Sequence, residues 1–140
     1  MSGPSLHFQV HPERLAIARL SPDAPLPPWA RGGFVTVSRT PTELSIVCPE
    51  RWVPAPAGGS DAPLHVERGR VALGIEGVVP MTTIGLLAAL CGSLAAAGVS
   101  VFVISTYDTD WILVQAERLA PARRALEGLG HRVSGALPQE

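Results

Sequence analysis

The sequence predicts an α+β fold of two tandem ferredoxin-like βαββαβ units, antiparallel sheets with helices on one face, the first unit lacking its first helix. Three observations carry that expectation: a segment that recurs along the chain, a complete element order in the later copy, and a proline-rich loop where the earlier copy would need a helix.

The recurrence is seen in two hairpins. Phe34–Ser38 and Leu44–Cys48 are strand-like runs around Arg39-Thr40-Pro41-Thr42-Glu43, and a displacement of 67 lays Phe34–Ser38 on Val101–Ser105 and Thr42–Val47 on Thr109–Val114. Leu15-Ala16-Ile17 matches Val71-Ala72-Leu73 at a displacement of 56, so the later copy holds 11 additional residues before its hairpin. That is about three helical turns. The added material is a helix expected over about Thr83–Ala97, replaced in the first copy by the loop around Pro25-Leu26-Pro27-Pro28.

The later copy reads in order as a strand over Arg70–Glu76, a helix capped by Thr82 or Thr83 and ended by Gly98, and a hairpin of Val99–Thr106 and Asp110–Gln115. A second helix follows over about Ala120–Leu129, with Pro121 in its first turn and Arg123 and Arg124 facing water, and His131–Ser134 forms a last edge strand. Ser21–Gly33 and Pro54–Pro63 read as loops. The unit boundaries expected are 10–66 and 67–136.

At 140 residues the chain has room for one core or two small units. Its net charge of -1, from 11 basic and 12 acidic residues without runs, gives no footprint for nucleic acid or an anionic membrane. Ile84–Ile104 is 21 residues without a charge, long enough for a membrane span. Gly92 and Gly98, and the change from Ala/Leu-rich to β-branched residues, favour a helix, a turn and a buried strand instead. Met1–Gln9 lacks a signal-peptide pattern, and Cys48 and Cys91 lie in apolar contexts, so a cytoplasmic protein without disulfide or metal is expected. His7, His11, His65 and His131 are scattered, and neither a nucleophile elbow nor a phosphate-binding glycine loop occurs.

Ser105–Val114, preceded by Ala97–Val101, resembles the second-strand hairpin of ACT domains of the kind found in aspartate kinases and CASTOR-type arginine sensors, and Arg39–Cys48 resembles the matching hairpin of small paired-ACT proteins. The resemblance spans about Leu15–Val133. It implies a regulatory, amino-acid-binding protein, often dimeric, with no catalysis and no cofactor. Carried over by position, it implies a ligand held by the loop Val78–Thr83, at Val79, Pro80, Met81, Thr82 and Thr83, and by the strand end Ile104, Ser105 and Thr106, with Asp108 and Asp110 on the hairpin. The chain departs from relatives at Pro80 and Met81, where an acidic or aromatic residue is common.

The chemistry of these residues admits two readings each. Free amides at the helix start suit a carboxylate, or the threonines only cap the helix. Asp108 and Asp110 can receive an ammonium or guanidinium, or Asp108-Thr109 only forms a turn. Ser105, Thr106 and Tyr107 offer hydroxyls or merely pack across strands. Trp52 and Trp111 read as core or sheet-face residues, while Trp29 either seals the first unit or closes over a ligand. The functional expectation is an amino-acid sensor and homodimer; the alternative is a protein-interaction module with no small ligand.

Overall fold

A computed structural model describes residues 5–139 apart from 58 and 60. The first four residues of Met1–Gln9, and two positions of the Pro54–Pro63 loop, lie outside the described residues. Contacts divide the chain within the long strand β5 (His65–Ile75): Glu13–Arg70 forms one unit, and the residues up to Pro12 together with those from Val71 onward form the other.

The N-terminal unit is an antiparallel sheet of β2 (Leu15–Leu20), β3 (Thr36–Arg39), β4 (Leu44–Pro49) and the opening part of β5, in the order β3-β4-β2-β5. Its alternating residues Ala16, Ala18, Leu20, Leu44, Ile46 and Cys48 form a core closed by Trp29 and Val53. Trp29 donates its indole N–H to the Asp61 carbonyl at 2.6 Å, so it seals this core. Both helical positions of the unit are taken by other structure: the proline-rich loop stands in the first, and a short 3-10 turn (Glu50–Trp52) followed by the second loop stands in the other.

The C-terminal unit holds the rest of β5, α1 (Leu86–Ala96), β6 (Phe102–Ser105), β7 (Asp110–Gln115), α2 (Leu119–Gly128) and β8 (Arg132–Ser134). Into it comes β1 (His7–Val10), antiparallel to β5 and parallel to β8, giving the order β6-β7-β5-β1-β8. The expected contiguous boundaries, 10–66 and 67–136, take in only Val10 of this strand, and in the first unit. His-Phe-Gln-Val is one short alternation, too brief to stand out in sequence, yet Phe8 and Val10 both enter the core. Val71, Leu73, Ile75, Ile112 and Val114 meet Leu90 and Leu94 of α1 and Leu119, Ala122 and Leu126 of α2. The i, i+4 and i, i+3, i+7 spacings are those of helix faces laid on a sheet. Arg123, expected to face water, instead donates to the Val133 and Gly135 carbonyls at 2.5 Å each, tying α2 to β8.

The two hairpin turns share one hydrogen-bond pattern, at a displacement one residue shorter than expected. Both hairpins close a four-residue loop, Thr40–Glu43 and Thr106–Thr109, in which the threonine N–H and hydroxyl both point to the last carbonyl of the loop. Superposing these turns requires 66, not 67, and then Ile46 and Cys48 fall on Ile112 and Val114, core on core. Likewise Ala16, Ala18 and Leu20 correspond to Val71, Leu73 and Ile75 at 55, not 56. The difference of 11 residues survives. A one-residue slip exchanges the faces of a strand, and apolar residues on both faces, such as Leu15 and Leu113, hide the slip in sequence.

Candidate functional site

The candidate site lies wholly in the C-terminal unit, where the loop from β5 to α1 meets the β6–β7 turn. The Val79 N–H donates to the Asp108 carbonyl at 2.7 Å, and the Thr109 hydroxyl donates to the Ile75 carbonyl at 3.0 Å, so loop and turn are fastened at two points. Between them opens a cavity of about 710 Å³ lined by the loop, the first turn of α1 and the hairpin.

The helix begins later than expected. Gly85, at φ +83°, occupies the N-cap position and no side chain caps the helix. Thr82 and Thr83 are therefore not caps: the Thr83 N–H closes a turn onto the Pro80 carbonyl at 3.0 Å, and the first intrahelical bond here runs from Ala89 to Gly85 at 3.1 Å. The turn around Pro80, not a threonine hydroxyl, delivers the chain to the helix. Because Gly85, Leu86, Leu87 and Ala88 line the cavity, it faces the helix end whose first amides lack intrahelical acceptors.

Of the residues expected at the site, Val79, Pro80, Met81, Thr83, Ser105, Thr106 and Asp110 line this cavity. Thr82, Ile104 and Asp108 do not: Ile104 pairs with Trp111 across the hairpin, and Asp108 contributes its backbone carbonyl to the loop fastening. Asp110 carries the one charge of the lining, and its Oδ1 accepts the Ser105 hydroxyl at 2.6 Å. Thr106 spends its hydroxyl on the turn. The sequence did not point to Gly85, Leu86, Leu87, Ala88 or Thr109 as lining residues, and Tyr107, noted there for its hydroxyl, also lines the cavity; the signal for the first of these was a glycine directly before an Ala/Leu run.

Four large apolar side chains of the loop and turn are exposed: Val78 at 72%, Met81 at 71%, Ile84 at 96% and Tyr107 at 82%. Next to Asp110 in β7, the Trp111 ring lies against Gly74, where a Cβ would fall 2.6 Å from Cε3. Among the described residues no helix is long and apolar enough to cross a membrane, and no group of three potential metal ligands occurs. The run Ile84–Ile104 is resolved into α1, a turn and β6.

Residues 65–128, the stretch that holds this cavity, match the ACT domain family. Residues 13–56 match a second family that describes an N-terminal domain. A solved Agrobacterium tumefaciens protein is similar over 99% of both chains, with 29% identity and a TM-score of 0.84. The regulatory subunit of aspartate kinase from Thermus flavus is similar in fold over 88% of this chain and 96% of its own, with 10% identity and a TM-score of 0.63. Its counterpart from Thermus thermophilus, in ligand-free form, covers 87% and 95% with 14% identity and a TM-score of 0.62. No similar sequence was found among curated proteins.

Proposed function

We propose that the protein is an amino-acid sensor without catalysis of its own, holding a free amino acid in the cavity at Val79, Pro80, Met81, Thr83, Ser105, Thr106 and Asp110. The observation that carries this reading is the pairing, in one cavity, of the uncapped amide end of α1 with the carboxylate of Asp110. The first complements a carboxylate and the second an ammonium, the two poles of an amino acid. Ser105 orients the Asp110 carboxylate and leaves its other oxygen for the ligand. Asp108 and Thr82 support the loop and turn in this reading and do not touch the ligand.

Thermal unfolding with each amino acid at saturation tests it. Binding to the folded state at about a hundred times Kd stabilises by about 2.7 kcal/mol, a shift of several degrees. Asp110→Asn is expected to abolish the shift and leave the unliganded Tm unchanged. Absence of a shift with every amino acid overturns the reading.

The exposed Val78, Met81, Ile84 and Tyr107 favour, in addition, a surface for another protein. We assign that surface to a second copy of the chain, giving a homodimer, and we place the protein in the cytoplasm, in keeping with its two free cysteines.

A further inference from the structure

The charge inventory of the site restricts the ligand further, given the amino-acid reading above. From Val71 to Glu117 the chain has no Arg, Lys or His, and its acidic residues are Glu76, Asp108, Asp110 and Glu117. Glu76 is engaged elsewhere, with His7 Nδ1 at 2.6 Å and the Gln9 amide at 3.3 Å, and Asp108 and Glu117 are not in the lining. The cavity therefore offers one anion, Asp110, and no cationic side chain.

A ligand with one carboxylate can be answered by backbone amides. A second carboxylate, or a phosphate, would enter beside Asp110 with no cation to offset it, and like charges at that range repel. A basic side chain meets the converse difficulty, since the one carboxylate is already taken by the α-ammonium. The large aliphatic and thioether side chains of the wall are Val79, Met81, Leu86 and Leu87. These side chains return free energy to apolar surface, and methionine adapts to its shape. We infer that the ligand is an amino acid with an uncharged, apolar side chain of the size of leucine, methionine or phenylalanine.

Calorimetric titration of the full chain with glycine, alanine, valine, leucine, methionine, phenylalanine, lysine, arginine, aspartate and glutamate tests this. A buried methylene is worth roughly fourfold in affinity, so leucine is expected to bind at least about tenfold tighter than alanine. Lysine, arginine, aspartate and glutamate are expected to bind at least about tenfold more weakly than leucine. Met81→Glu, at an exposed loop position, adds the missing second carboxylate and should move the preference at least threefold from leucine toward lysine. Tightest binding by a charged amino acid, equal binding of alanine and leucine, or binding of none of the ten overturns the inference; the sensor reading falls only if the remaining amino acids also fail to bind.

Discussion

Gly74 and Trp111 illustrate how one missing methyl group places a large ring. The indole lies on the backbone of β5 at a position where any Cβ would sit inside van der Waals contact. Gly74→Ala must therefore push the ring away, and overpacking of this kind costs about 1–3 kcal/mol. Denaturant unfolding is expected to show that loss, and loss below 0.5 kcal/mol would mean that the ring is free to move. His131 carries a second prediction at this scale. Its Nδ1 accepts the Leu6 N–H at 3.0 Å, and burial lowers its pKa, as it lowers that of His11. The folded state thus holds fewer protons than the unfolded chain, so stability is full above the ordinary histidine value of about 6.5 and falls as pH drops through the lowered folded values. Unfolding midpoints measured from pH 7.5 to 5 should fall, and His131→Gln should flatten part of the decline.

At the scale of elements, the start of α1 separates two accounts of the same loop. Were Thr82 or Thr83 the cap, its replacement by alanine would cost about 1 kcal/mol. With Gly85 in a left-handed conformation at that position, Thr83→Ala is expected to change stability by less than about 0.5 kcal/mol, whereas Gly85→Ala costs about 1–2 kcal/mol. The reverse order would restore the threonine cap. This is also where legibility in the sequence ended. Helix periodicity and the Ala/Leu run marked α1, but its first residue depended on the Pro80 turn, and capping preferences cannot choose between a threonine and a glycine a few residues apart. The hairpins were legible as hairpins because their threonine turns recur, while their register was not, since Leu113 and Leu15 are as apolar as the core residues beside them. Arg123 was misjudged because its acceptors, two carbonyls in and after β8, are brought to α2 by tertiary structure alone.

For the whole molecule, the exposed Val78, Met81, Ile84 and Tyr107 bear on assembly. Ile84, at 96% exposure, makes no contribution to the fold of its own chain that burial would measure. Ile84→Asp should leave the stability of the isolated chain within about 0.5 kcal/mol and convert the proposed dimer to monomer in sedimentation equilibrium. A dimer unchanged by the substitution would remove this surface from the interface. The candidate residues were expected from the family resemblance and a helix tip, yet the cavity joins residues far apart in sequence, such as Leu87 and Thr109, which only the folded unit brings together.

The insertion of His7–Val10 between β5 and β8 also has a consequence for biosynthesis. During translation this segment emerges more than 120 residues before one of its two pairing partners, Arg132–Ser134. The C-terminal unit cannot complete its sheet until Arg132–Ser134 has been made, so a nascent chain must keep Phe8 and Val10 from premature partners until then. Recombinant fragments that start after residue 12, or bulky fusions joined directly ahead of Leu6, are accordingly expected to yield insoluble material.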